Sequence, residues 1–145
     1  MAELEVTWDG APVAREPPYA ACVVVRRRGR GEHEFLILHR AHEGPDYAGD
    51  WAWTPPSGAR QPGESPEVAA ARELREETGL ELPLTRVEPL LEDVALYLAE
   101  APAEVQVELD PEHDAFRWLP LEQAAALCRP AEVAAGLRHA AGVRT

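Results

Sequence analysis

The segment from Gly58 to Leu80, GARQPGESPEVAAARELREETGL, leaves room for little besides a short irregular turn feeding one capped helix. Ser65 is a strong N-cap, Pro66 suits the first helical position, and Glu67 meets the positive end of the helix dipole. Val68 to Arg75 is built from Ala, Arg, Glu and Leu apart from its single Val, and those four are strong helix formers. Gly79 can take the left-handed conformation that closes a helix. The sequence therefore predicts a helix from about Pro66 to Thr78.

At about 100° per residue, Val68, Ala71 and Leu74 share one arc, which is expected to pack on a core. Glu73, Glu76 and Glu77 share the opposing arc at i, i+3 and i+4, where side chains are neighbours. Three carboxylates that close repel one another. Arg72 and Arg75 offset part of the repulsion, and a bound cation offsets more. Mg2+ and Mn2+ take hard oxygen ligands, and Mg2+ commonly shares substrate phosphates. A glutamate-rich helix face is more often solvated surface. What sets this one apart is the joint spacing of Gly58, Glu64, Arg72, Glu73, Leu74, Glu76, Glu77, Gly79 and Leu80.

In that spacing the residues resemble the Nudix signature, Gly-x5-Glu-x7-Arg-Glu-Φ-x-Glu-Glu-x-Gly-Φ with Φ apolar, without a departure. The resemblance implies an α/β protein, a Nudix-type α/β/α sandwich with a mixed central sheet. It implies a hydrolase that uses Mg2+ or Mn2+ to cleave a nucleoside diphosphate linked to another group. Glu73, Glu76 and Glu77 would be metal ligands or the base for the attacking water, and the Ser57 backbone carbonyl a further ligand. Glu64 would pair with Arg72 and brace the loop, with Gly58 and Gly79 as structural support.

The likeness runs over roughly residues 19 to 140. Trp53-Thr54-Pro55-Pro56, Pro62-Gly63-Glu64 and the run Glu112 to Leu119, followed by Leu121-Glu122-Gln123-Ala124, look like diadenosine tetraphosphate hydrolases of the animal and archaeal type. That likeness implies ATP and AMP as products, Glu112 as a further carboxylate for the metal, and Phe116 as a ring that stacks on a base. Two positions depart from it: Ser57 stands where the subfamily has lysine, and Ala59 where it has histidine. The hairpin before Val94 is short, and an adenine-stacking tyrosine has no counterpart there. The chain contains no lysine. Arg60 is the expected substitute, since a guanidinium grips phosphate oxygens in bidentate fashion. Arg40, His113 and Trp53 are further candidates for contact with substrate. A pyrophosphatase for a nucleoside triphosphate or nucleotide sugar keeps the same chemistry with another substrate. A non-catalytic nucleotide-binding module is the reading from another class, and it accords poorly with a box that has kept every acid.

At 145 residues the chain has the length of one domain. Residues 18–145 are expected to form it, with 1–17 as a tail or an added edge strand and Pro17-Pro18 marking the boundary. No apolar run approaches the length of a membrane span, and the acidic start is not a signal peptide. Cys22 and Cys128 read as buried free thiols of a cytoplasmic protein, with a disulfide between them as the alternative. A net charge of −12 argues against polymeric nucleic acid and against an anionic membrane as partners. A small-molecule nucleotide is the expected partner, and the chain itself a monomer or homodimer. Strands are expected at Tyr19–Val25, Glu34–His39, Val94–Leu98, Val105–Leu109 and Phe116–Trp118, with helices at Leu121–Cys128 and Glu132–Ala140.

Overall fold

Runs of apolar and β-branched residues at Ala20–Arg28 and His33–Arg40 form strands β1 and β2. In the computed structural model, which describes residues 10 and 12–142, the two strands pair directly at Arg26–Arg28 with His33–Phe35. Toward their other ends they part. Trp53–Thr54 (β3) fills the gap against β2 and Ser57–Ala59 (β4) fills it against β1, with Pro55-Pro56 turning between them. On its far side β1 runs parallel to Val94–Ala101 (β6), which pairs antiparallel with Thr85–Val87 (β5). His113–Pro120 (β7) lines the far side of β2. The result is a seven-stranded mixed sheet.

Alternate strand residues point to opposite faces. Val23, Val25, Leu36, Leu38 and Tyr97 pack beneath Ala69, Ala70 and Leu74 of helix α1 (Pro66–Thr78). Val24, Phe35, Ile37, Leu96 and Leu98 face the other way, toward α2 (Leu121–Leu127) and α3 (Ala131–Ala141). Each fully buried side chain of this kind contributes about 1.5–3 kcal/mol relative to exposure. Helices thus cover both faces, and the expected α/β/α sandwich is the fold formed.

Helix α1 begins and ends where its caps direct. The Ser65 hydroxyl accepts the Val68 N–H at 3.2 Å, and Gly79, at φ 75°, donates its N–H to the Arg75 carbonyl at 2.9 Å. Its rotation differs from expectation. Val68 is 57% exposed and Ala71 is exposed, whereas Ala69, Ala70, Leu74, Glu77 and Thr78 are buried. Alanines let the helix lie close on β1, and Glu77, on the same face, goes inside with them. The predicted arc of Val68, Ala71 and Leu74 is therefore overturned except at Leu74.

Residues 105–109 form no strand. Val105, Val107 and Leu109 pack on the α1-side core, and the Glu108 N–H meets the Thr78 carbonyl at 2.9 Å, so the segment follows the end of α1. Val13 and Ala14 are buried, and the Ala14 N–H bonds the Arg60 carbonyl at 2.7 Å, so the chain before Pro17 lies against the domain here. Residues 1–9 and 11 of the expected tail or edge strand lie outside the described residues. Among the described residues no helix is long and apolar enough to cross a membrane.

Candidate active site

The site is built where β1 and β2 part. Cys22 lies opposite Ser57, and the neighbouring Val23 N–H bonds the Pro56 carbonyl at 2.8 Å. Ser57 is therefore at a non-hydrogen-bonded ladder position, with its N–H and C=O directed away from β1. The N–H donates to Glu77 Oε1 at 3.1 Å. The carbonyl opens to the same side. Gly58 lies against the carboxylate of Glu73, which would overlap any Cβ placed there.

Glu73 and Glu77 share a hydrogen bond on the buried side of α1. Glu77 is 4% exposed. Burial, then the contact with Glu73, then the charge of Asp110 push its carboxyl well above the ordinary range, opposed by the Ser57 N–H. Glu73 is also raised, by burial first, and Arg72 restrains the shift. Two adjacent buried carboxyls cannot both ionise without an opposing charge. A divalent cation could supply that opposing charge, and their hard oxygens suit Mg2+ or Mn2+.

Arg72 organises the rest of the box. Its Nε and Nη2 bond the two carboxylate oxygens of Glu64 at 2.7 and 3.0 Å, and Nη2 also meets the Ala59 carbonyl at 3.0 Å. Nη1 reaches Glu73 at 2.8 Å and Glu76 at 3.2 Å. Glu64 Oε1 also accepts the Gln61 N–H at 3.0 Å, so the loop that Arg72 ties to the helix by three bonds is itself braced. Glu76 remains half exposed, and Glu112 is exposed at the turn before β7. Among the described residues no three His, Cys, Asp or Glu side chains yet surround one point.

Two expected substrate contacts are corrected. Arg60 is 5% exposed, and its guanidinium bonds the carbonyls of Pro18, Glu64 and Glu16 at 2.7, 2.6 and 2.7 Å, together with the Glu16 carboxylate at 3.1 Å. It ties the chain before β1 to the box loop and has little left to offer a phosphate. Trp53 is 8% exposed within the core, with the Arg117 guanidinium 4.9 Å above its ring and the His39 ring 4.8 Å away, so it does not offer an open face to a base.

The other candidates lie toward the open end of β2 and β7. Arg40 stands opposite His113 in the ladder. Phe116 is 40% exposed and lies opposite Leu38, which places it on the α1 face of the sheet. Two more residues belong to this end: His39, which the sequence placed beside the loop leading to the site, and Asp110, which it did not single out. His39 is buried, with Nδ1 2.6 Å from Asp114 and Nε2 2.6 Å from the Tyr47 carbonyl, and so joins β7 to the loop at 41–50. Asp110 Oδ1 lies 2.7 Å from His113 Nδ1. Its acid-x-x-His spacing was the one clue the sequence offered.

The model of the NUDIX domain matches residues 16–140. The chain belongs to the Nudix family. This Nudix protein is 38% identical over 119 residues to the asymmetrical bis(5'-nucleosyl)-tetraphosphatase of Mus musculus, covering 73% of the chain and 77% of that protein. It is 32% identical over 139 residues to an octanoyltransferase of Myxococcus xanthus, but spans only 38% of that protein's length. Among solved structures, a C. elegans Ap4A hydrolase binary complex matches with a TM-score of 0.67 at 31% identity, covering 83% of the chain and 92% of that structure. The Nudix hydrolase domain thus accounts for nearly all of the described fold.

Proposed function

We propose that this domain is a metal-dependent hydrolase of a phosphoanhydride bond, with diadenosine tetraphosphate as substrate and ATP and AMP as products. The observation that carries the hydrolase reading is the buried Glu73–Glu77 pair beside Ser57, two carboxyls served by one guanidinium, Arg72, which reaches Glu73 and is already shared with Glu64 and Glu76. Glu73, Glu77 and the Ser57 carbonyl would hold Mg2+ or Mn2+, with Glu76 and Glu112 as further carboxylates. The ion, when bound, supplies Lewis acidity at the phosphate oxygens.

The remaining work falls to this chain's own groups. A glutamate of the cluster accepts the proton of the water that attacks phosphorus in line. Arg72 keeps Glu64 and Glu73 in place while that charge moves. Arg40 and His113 meet the phosphate chain, and Phe116 offers its exposed ring to a base. The relative from Mus musculus and the C. elegans structure, both named for this class of substrate, support the diadenosine reading. A cytoplasmic protein fits two free thiols that burial pushes up, Cys22 to about 12 and Cys128 to about 11, far from the reactive range.

The second reading, a nucleoside triphosphate or nucleotide-sugar pyrophosphatase, draws on Trp53. Its closed ring leaves Phe116 as the open one of the two aromatic candidates, and a mononucleotide needs only one. The deciding experiment incubates the protein with Mg2+ or Mn2+ and diadenosine tetraphosphate, ATP or a nucleotide sugar, and identifies the products. Equal ATP and AMP support the first reading. Pyrophosphate from ATP, or cleavage of the nucleotide sugar, with the dinucleotide untouched, supports the second. No metal-stimulated turnover of any of them sinks both.

A further inference from the structure

Asp110 lies outside the box, yet the fold carries it to the carboxylate cluster. Two residues earlier, the bond from the Glu108 N–H to the Thr78 carbonyl pins the chain along the last turn of α1, next to Glu77. The Asp110 charge is felt at Glu77 in consequence. From there the chain turns into β7, and the Asp110 carbonyl accepts the His113 N–H at 3.2 Å.

The side chains meet as well. Asp110 Oδ1 lies 2.7 Å from His113 Nδ1, and the two side chains are 18% and 12% exposed, so the contact is sheltered. A carboxylate can only accept, so His113 Nδ1 carries the hydrogen. Nε2 is then the ring nitrogen left to accept, or to donate once the ring is protonated, with no hydrogen-bond partner among the described residues. Across the ladder stands Arg40, at the point where the β2–β7 register shifts. The chain has no lysine, and Arg60 is spent on internal bonds. Of the cationic candidates named from the sequence, Arg40 and His113 are left for the phosphate chain.

We infer that Asp110 is a positioning residue that fixes the His113 ring so that Nε2 meets the polyphosphate of the substrate beside Arg40. This rests on the hydrolase reading above. An imidazole held at Nδ1 presents one fixed direction at Nε2, whereas an untethered ring loses that preorganisation when substrate binds.

The test compares the parent with Asp110→Ala, Asp110→Asn and His113→Gln. It measures KM and kcat on diadenosine tetraphosphate with Mg2+, and Kd for a methylene-bridged, uncleavable analogue with Mn2+. Mn2+ affinity without nucleotide and the His113 ring 15N signals complete the set. Asp110→Ala is expected to raise KM and Kd about 10-fold, the scale of one charge-assisted hydrogen bond. Asp110→Ala and Asp110→Asn remove the same charge near Glu77, so their kcat and Mn2+ affinity should agree within about twofold, and the ordered Nδ1–H signal should vanish in Asp110→Ala. Asp110→Asn, whose amide oxygen still accepts, should recover most of the affinity. His113→Gln should weaken binding as much as Asp110→Ala does. An unchanged Kd in Asp110→Ala overturns the inference, and so does Mn2+ affinity that falls in step with Kd. A parent that binds and cleaves no nucleotide instead removes the hydrolase reading itself.

Discussion

Gly58 touches the carboxylate of Glu73, with no room for a methyl group between them. Its backbone is not left-handed, so the glycine answers to space rather than to conformation. Gly58→Ala must push Glu73 aside or shift β4. The expected cost is about 1–3 kcal/mol in urea unfolding, as for other overpacked sites. If Glu73 holds the metal as proposed, Mn2+ affinity should fall by about 10-fold or more when its carboxylate is displaced.

Glu64 is grasped by Arg72 on both oxygens, and that contact holds its carboxyl below the ordinary value. A depressed folded-state value adds stability above the ordinary carboxylate range, which is lost as pH falls through the lowered value. Glu64→Gln is therefore expected to lose about 1–3 kcal/mol near neutral pH. The gap to the parent should close in acid. Thermal unfolding followed from neutral to acid pH reads both ends of this curve.

Glu77 has the opposite sign. Its raised carboxyl favours the folded state while protonated, and that contribution is lost as pH rises through the raised value. Without metal, Glu77→Gln should match or exceed the parent's stability at mildly alkaline pH, while metal-dependent turnover falls by about 10^2–10^4-fold. Binding of Mg2+ to the parent should release a proton that the variant does not release. Calorimetry in two buffers of different ionisation enthalpy measures that proton directly.

Arg60 offers a test of what it does not do. Lysine keeps the charge but cannot span the carbonyls of Glu16, Pro18 and Glu64 from one planar group. Arg60→Lys should lower stability by about 2 kcal/mol, since buried acceptors lose their donors. KM for nucleotide should stay at the parent value, and a large rise in KM without loss of stability would return Arg60 to the substrate site.

The ends of α1 were legible because caps act locally: Ser65 and Gly79 need only their near neighbours. Its rotation was not, because the larger apolar residue, Val68, suggested the wrong face while the small residues Ala69 and Ala70 allowed the closer approach to β1. The period of two in 105–109 recorded half-burial, but a strand also needs a ladder, and this segment follows a helix end instead. Asp110 was hidden because Asp-Pro has its own local reasons to form a turn. The effect of its charge on Glu77 depends on the distant Glu108–Thr78 bond. The burial of Arg60 and the covering of Trp53 likewise come from segments remote in sequence, which spacing within the box does not report.

The parting of β1 and β2 also gives the two ends of the hairpin unequal freedom. At the open end every residue from Trp53 to Ala59 is committed to one strand or the other or to the turn between them. At the closed end Gly31, at φ 82°, has nothing within 4 Å of where a side chain would begin. A peptide label or small reporter domain spliced in at Gly31 would project into solvent from the opposite edge of the molecule. The hairpin turn is therefore the natural handle for immobilising or labelling this protein while its carboxylate cluster is left undisturbed.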